Sequence, residues 1–573
     1  MTARHRCLLT PAIVAALVLA ACSSDSSSSA DTASSGTASS GTASPPPVTD
    51  APATTDTATT DTPSTEPART CIAPTTTTPV QAAPADSTGQ EWSITSFDGA
   101  VIRAHWFPLQ GLADDATAPT VLMGPGWGSA GDTDTAPSGN PAFLGIADLR
   151  AAGFNVLTWD PRGFGLSSGT IEIDSAEYEG RDVQQLLDWV ATQPQVGLDG
   201  DRDPRVGMFG ASYGGGIQLV AASVDCRIDA IVPVIAWHSL QTSLFKADTP
   251  KTGWANFLWA ASAGRQIDPT VVRANASSNA TGTVDPADVQ WFADRGPGDA
   301  VADITVPTLI IQGTVDTLFT LDEAVSNLHA LRPGAPVAML WFCGGHGACL
   351  TNPGDQSRTK DVALAWLRRY VAGDTGVDTG VAFEFVDQDG VSYTADAFPA
   401  PSRATLSGSG SGTLNLVAEG GAGPAVVAPA APGLAQLVAP ITPGRATNSI
   451  DVTVAAPAQD TVIVGAPQLT FTYSGTGPAG DRPTRVFAQL VDDATNIVLG
   501  NQITPIEVVL DGKPHTVAVP LEMVAFTVHP ASTVTLQLVA TTVVYATPRL
   551  GGSIDFTNIA IDLPVVDGVT PVS

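Results

Sequence analysis

The stretch Arg205-Val206-Gly207-Met208-Phe209-Gly210-Ala211-Ser212-Tyr213-Gly214-Gly215-Gly216 constrains this chain more than any other. A short apolar run ends in Gly-Ala-Ser-Tyr-Gly, and the small and apolar residues from Ile217 to Ser223 can start a helix. A Gly-x-Ser-x-Gly motif between a strand and a helix is a sharp turn. It strains the backbone at the serine and lifts the hydroxyl clear of the sheet. Gly210 and Gly214 are needed because strand and helix cross closely there and leave no room for a side chain. With 55 glycines in 573 residues, context decides what such a motif means. A second match, Gly165-Leu166-Ser167-Ser168-Gly169, has no strand before it and no helix after it, and reads as a loop.

Strands and helices alternate around this turn. Residues 91–97 and 101–107 alternate in polarity about Asp98-Gly99 and predict a hairpin. Thr120-Val121-Leu122-Met123 is a continuous apolar run of the kind buried in a sheet, and it ends in Gly124-Pro125-Gly126-Trp127-Gly128. A helix is expected over 140–152, a strand over 154–159 and a helix over 175–192. After the serine turn come strands over 231–236, 308–312 and 337–342, a helix over 321–331 and a last helix over 355–372. Residues 238–300 have weak periodicity and several tryptophans, and read as a small cap. This alternation predicts an α/β fold with a mainly parallel sheet, whose ligands bind beyond the carboxyl ends of the strands.

Beyond Gly380 the helical patterns stop. Short strands at 384–386, 461–464, 469–473, 486–491, 516–519 and 534–539 lie between Gly, Pro and Asp turns and predict an all-β sandwich of jelly-roll type. A Gly/Ala/Pro-rich insert near 418–446 reads as a loose loop. The expected boundaries are a catalytic α/β domain over 87–378 and a β-sandwich over 379–573.

A serine hydroxyl is a weak nucleophile near neutral pH and needs a base within reach, itself oriented by an acid. In this fold class the chain order is serine, acid, histidine. His346, in Cys343-Gly344-Gly345-His346-Gly347-Ala348-Cys349, follows the last strand and is the expected base. His329 falls inside a helical pattern and reads as structural, whereas His238, at a strand end, is placed to line the site. Asp316, in the turn after residues 308–312, is the expected acid; Asp322 reads as an N-terminal helix charge. The tetrahedral intermediate needs two donors. The backbone N–H groups of Tyr213 and Trp127 are expected to supply them.

The N-terminus predicts export. Arg4, His5 and Arg6 precede an apolar run over 11–20, and Leu19-Ala20-Ala21-Cys22 follows, which resembles a bacterial lipoprotein signal cleaved before a lipidated Cys22. Residues 22–86 are rich in Ser, Thr, Ala and Pro and read as a disordered tether on the outer face of the cell membrane. Four cysteines then remain. Cys343 and Cys349 are close in sequence, which leaves Cys71 for Cys226; spacing alone does not fix the pairing, and four free buried thiols are the alternative. A net charge of −30 argues against nucleic acid as a partner.

These residues together resemble an α/β-hydrolase, and more narrowly the Xaa-Pro dipeptidyl-peptidase-like and cocaine-esterase-like serine hydrolases. The resemblance rests on Asp160-x-Arg162-Gly163-x-Gly165-x-Ser167-x-Gly169, the Ser212 turn, Asp316, His346, and in the β-rich half Phe487 to Asp492 and the run from Pro514. It implies a Ser-His-Asp acyl-enzyme mechanism on a small peptide or ester, without metal or cofactor, and a β-domain that helps frame the pocket. The chain departs from these relatives where they often place a tyrosine in the oxyanion hole, since Gly-Pro-Gly-Trp-Gly stands there. A dipeptidyl-peptidase must also bind a free amine. Asp248, Asp268, Asp285, Asp288 and Asp294 are the candidates, and each reads more simply as surface charge. Two other functions fit the same fold: a non-catalytic surface binding lipoprotein, and an acyltransferase in which an alcohol replaces water.

Overall fold

The computed structural model describes residues 80–427, 433–478 and 484–572. They lie in one compact unit, Ile72–Ser573. The expected signal, Cys22, Cys71 with its Cys226 pairing, and the tether up to residue 79 lie outside the described residues. Ala82–Pro84, expected at the end of the tether, instead pairs antiparallel with Glu91–Thr95. Val80 and Ala82 pack against the core there, so apolar contact recruits this segment to the sheet edge.

One twelve-stranded sheet organises the first half. Its spatial order is Ala82–Pro84, Glu91–Thr95, Val101–Phe107, Asn155–Trp159, Thr120–Gly124, Val206–Ala211, Ile228–Val234, Thr308–Gly313, Val337–Phe342, Phe383–Val386, Ser392–Ala395 and Thr570–Pro571. The run from Asn155–Trp159 to Phe383–Val386 is parallel throughout. Helices cover both faces, as a parallel sheet demands. Glu179–Val190, Tyr213–Val224 and Leu321–Ala330 pack on one side through Leu186, Leu219 and Ala324. Ile146–Ala151 and Arg358–Tyr370 pack on the other through Leu149, Val362 and Trp366. The strand order reverses between Thr120–Gly124 and Val206–Ala211, so the crevice of the switch point opens between their carboxyl ends.

The expected 140–152 helix is shorter, Ile146–Ala151. The Ser138 hydroxyl accepts from the Asn140 N–H and the Asn140 side chain from the Ala142 N–H, which hold the preceding residues in local turns. The expected 384–386 strand of the β-rich half is Phe383–Val386 of the large sheet, parallel to Val337–Phe342. All four of its residues are buried, the mark of a strand covered on both faces rather than of an alternating sandwich strand.

The second half forms two antiparallel sheets. One contains Gln468–Thr476, Ser553–Val566 and Ser402–Asn415; the other contains Ser449–Val454, Val534–Val539 and Thr484–Asp492. Phe471, Val486, Leu536 and Ile561 meet between them in an apolar core, giving a β-sandwich.

Residues 240–303 fold as short helices over the site, chiefly Thr252–Ala261, Pro269–Thr281 and Pro286–Ala293. Their weak periodicity has a physical cause. Thr252–Ala261 fully buries only Trp254, and Pro269–Thr281 buries the small residues Thr270, Ala274 and Ser278. The insert near 418–446 is not wholly a loose loop: it contains the helix Gly433–Val438, and Val438 packs into the cap. Among the described residues no helix is long and apolar enough to cross a membrane.

Candidate active site

Ser212 stands between the strand Val206–Ala211 and the helix Tyr213–Val224 with φ 58° and ψ −117°. A non-glycine residue held there stores backbone strain, which is tolerated because the surrounding structure over-determines the turn. The close crossing is real. A Cβ on Gly210 would lie 2.7 Å from the carbonyl oxygens of Gly124 and Gly214, and one on Gly214 would overlap the Gly124 carbonyl.

His346 and Asp316 arrive from the carboxyl ends of the next two strands but one. Ser212 Oγ lies 2.7 Å from His346 Nε2. His346 Nδ1 lies 2.7 Å from Asp316 Oδ2. A carboxylate only accepts, so Nδ1 carries the proton and Nε2 is left to accept from the serine. Asp316 has no solvent exposure. It accepts three further N–H bonds, from the backbone of His346 at 3.0 Å and of Leu318 and Phe319 at 2.9 Å each. Gly345 permits the approach: at φ +111° a Cβ would press on the Asp316 side chain. The loop carrying His346 is closed by the Cys343–Cys349 disulfide. The imidazole is held edge-on against Phe319 and Trp254, at centroid distances of 5.1 and 5.8 Å.

The β-rich half holds these loops from behind. Gln502 Nε2 donates to the Asp316 carbonyl at 2.8 Å, and Asn501 Nδ2 donates to the Ala348 carbonyl at 2.7 Å. Sequence reasoning missed both residues, since no local pattern signals a contact across 186 positions.

Trp127 lies at the end of the neighbouring strand, across the switch-point crevice. Its indole Nε1 donates to the Leu258 carbonyl of the cap at 3.0 Å, and its ring stands edge-on to Phe164 and Tyr213. Among the described residues neither the Trp127 nor the Tyr213 backbone N–H is donated to a protein acceptor.

Two cavities meet at Ser212. One, of about 360 Å³, is lined by His346, Gly126, Trp127, Phe143, Phe257 and Val438. The other, of about 90 Å³, runs under the cap past Tyr213, Trp237, Leu244, Phe292 and Lys251. Among the described residues neither wall contains an aspartate or glutamate. Asp268 and Asp285 cap helices through the N–H groups of Thr270 and Ala287. Asp288 pairs with Arg273 and Asp294 accepts from Gln290. His238 does not line either cavity; it bonds Asn327 through Nδ1 at 3.0 Å. Asp322 sits in the first turn of its helix and pairs with Lys246 at 2.8 Å. Ser167, of the second Gly-x-Ser-x-Gly match, donates to the Asp160 carbonyl within a loop.

Behind the turn lies a buried acidic group. Asp174 has no exposure, and burial, with Glu179 adding, pushes its carboxyl well up. Burial likewise pushes Glu179 up to about 7, against the pull of N–H bonds from Glu172 and Ser175.

Residues 98–347 match the family model of the X-Pro dipeptidyl-peptidase, the S15 family. The matched residues include Ser212, Asp316, His346 and the Trp127 loop, and end one residue past the histidine. The chain is 14% identical to a solved α-amino acid ester hydrolase, at a TM-score of 0.63 over 85% of this chain and 97% of that one. An aminopeptidase from a marine sediment Thaumarchaeota archaeon is also 14% identical, at a TM-score of 0.62 over 89% of this chain and all of that one. These two likenesses are of fold, and they cover well more of the chain than residues 98–347. A polyketide transferase of Penicillium is 26% identical over 142 residues, 24% of this chain and 42% of that protein. The chain spans less than half the length of the curated relatives it matches.

Proposed function

We infer that this protein is a serine hydrolase that forms an acyl-enzyme on Ser212 and acts on carboxylic esters in preference to Xaa-Pro peptides. The observation that carries the reading is the unbroken hydrogen-bonded line Ser212–His346–Asp316, with 2.7 Å at each link, on a strained turn. Ser212 Oγ attacks the ester carbonyl while His346 Nε2 takes its proton. Asp316 holds the imidazole and balances the charge it gains. The carbonyl oxygen becomes an oxyanion in reach of the Tyr213 and Trp127 N–H groups, and each such donor is worth about 3–4 kcal/mol of transition-state stabilisation. As the carbonyl re-forms, the C–O bond to the alcohol breaks and His346 returns the proton to the alcohol. Water, deprotonated by the same imidazole, then releases the acid and restores Ser212.

The preference for esters follows from the walls. A dipeptidyl-peptidase needs carboxylates for its substrate's amine, and among the described residues neither cavity at Ser212 has one in its wall. The proton-delivering His346 lines the larger cavity, which is therefore the leaving-group side; the cavity under the cap takes the acyl group. We further propose, from the sequence pattern, that the protein is exported and anchored by lipid on Cys22.

A fluorophosphonate probe tests the reading. Labelling of the wild type that is lost in Ser212→Ala, with turnover of a short-chain p-nitrophenyl ester exceeding that of an Xaa-Pro-anilide, is the expected result. Faster cleavage of the anilide would reverse the preference, and an unlabelled folded wild type would remove the enzyme reading.

A further inference from the structure

The acyl cavity contains one feature that hydrolysis of a simple apolar ester does not use. Among the described residues Lys251 is the sole charged side chain in its wall. It sits at the N-terminal end of the cap helix Thr252–Ala261 and is 2% exposed. An ammonium has three donors. At Lys251 Nζ the hydrogen-bond partner among the described residues is one neutral acceptor, the Leu318 carbonyl at 2.9 Å. The Tyr545 ring lies 5.6 Å away. No carboxylate of the described residues comes within ion-pair distance.

The nearby acids are engaged elsewhere. Lys246 holds Glu522 at 2.7 Å and Asp322 at 2.8 Å. Glu323 accepts from the His238 and Ser239 N–H groups and from the Thr242 hydroxyl, and Asp316 is occupied with the histidine loop. Glu522 attracts the Lys251 charge without bonding it, and Lys246 repels it. Burying an ammonium with a single neutral acceptor is costly, and an anion delivered to it would recover that cost. Burial accordingly lowers the Lys251 ammonium to about 8, a value at which it still carries its proton near neutrality.

We propose that Lys251 is a specificity residue that binds a carboxylate at the far end of the acyl chain, so that the preferred substrates are half-esters of dicarboxylic acids with an apolar middle. The apolar wall formed by Trp237, Leu244, Val271 and Phe292 accommodates the methylene chain, and Lys251 holds its distal oxygens. The assignment deepens the hydrolase reading and rests on Ser212 being the nucleophile.

Lys251 also steadies Leu318, whose N–H bonds Asp316, so loss of overall activity in a variant would not distinguish anchor from support. A ratio does. The wild type and Lys251→Met are assayed on p-nitrophenyl half-esters of adipate, pimelate and suberate, each against the neutral ester of the same chain length. For at least one length the wild type is expected to favour the anionic ester by about tenfold or more in kcat/KM, the scale of one desolvated ionic hydrogen bond. Lys251→Met is expected to lose that preference while still cleaving the neutral esters. A wild type that favours the neutral ester at every length, or a variant that keeps the preference, overturns the proposal.

Should Lys251→Met fail to fold, protection of the wild type decides. Free adipate, pimelate or suberate is expected to slow fluorophosphonate labelling of Ser212 where equal concentrations of the monocarboxylates do not. Equal protection by both sets counts against the anchor. In every negative case labelling and neutral-ester turnover persist, whereas failure of the hydrolase reading itself abolishes both.

Discussion

Two aspartates at this site are equally buried and differently furnished. Asp316 and Asp174 are both wholly shielded from water. Asp316 accepts four N–H bonds, among them that of the histidine. Asp174 has no such set: burial and the neighbouring Glu179 oppose its charged form, and only the Tyr213 hydroxyl among the groups acting on it favours that form. Burial alone therefore says nothing about a carboxyl group's job. The donors around it do. Asp316 is furnished as a fixed acceptor for the His346 imidazole. Asp174 is a carboxyl whose charged form burial disfavours, wedged against the helix that follows Ser212: a Cβ on Gly216 would lie 2.7 Å from its oxygen.

Breaking the comparison at Asp316 has the largest effect. Asp316→Asn preserves shape but offers an amide where His346 Nδ1 donates, which favours the wrong tautomer. We expect kcat to fall by about 10⁴ with ester binding little changed, as for the equivalent change in other Ser-His-Asp triads. Steady-state kinetics check this; a loss below tenfold would show that Asp316 does not orient the base.

The supports of the acid side come next. Opening the Cys343–Cys349 bridge with the double serine variant frees the loop that presents His346. Thermal and denaturant unfolding should reveal a loss of about 2 kcal/mol, the cost expected for a short closed loop, with a several-fold drop in kcat. Gln502→Ala removes a buried donor from the Asp316 carbonyl. It should cost about 1–3 kcal/mol in stability and a few-fold in kcat, and a wild-type kcat would show that the β-sandwich contact is not transmitted to the triad.

The smallest effects on turnover are expected on the Asp174 side, and they appear in pH dependence instead. Glu179 is raised from 4.5 to about 7 by burial. Below pH 4.5 it is protonated in folded and unfolded chains alike. Between about 4.5 and 7 the unfolded chain releases the proton and the folded chain keeps it, so stability falls as pH rises across that window, by on the order of 3 kcal/mol in all. Glu179→Gln should flatten that slope in unfolding measured from pH 4 to 8. Asp174→Asn, a near-isosteric swap for a carboxyl whose charged form burial disfavours, should leave kcat within about threefold at pH 7. A loss comparable to that of Asp316→Asn would mean the two aspartates are not opposites.

The legible part of this molecule is what local sequence encodes. Ser212, Asp316 and His346 were readable because each follows an apolar strand at a glycine-marked turn, and a parallel sheet brings the carboxyl ends of its strands together. The alternation of strands and helices gave the sheet, and the β-rich composition after Gly380 gave the sandwich. What stayed hidden depends on distant partners. Gln502 and Asn501 reach loops 153 and more residues away. Phe383–Val386 looks like any short β run until its two faces are seen to be covered. Val438 belongs to an insert whose composition suggests a loop. Lys251 is one residue from a proline in a stretch without periodicity, and its meaning lies only in the apolar wall that the cap folds around it.

The most direct test of the account is an acyl-enzyme seen as such. The protein is mixed with a p-nitrophenyl ester, quenched in acid within the first turnover and mapped by peptide mass spectrometry. A burst of p-nitrophenol is expected together with one acyl mass on the peptide bearing Ser212, absent from Ser212→Ala. Sustained turnover in Ser212→Ala, or an acyl mass on another residue, would contradict it.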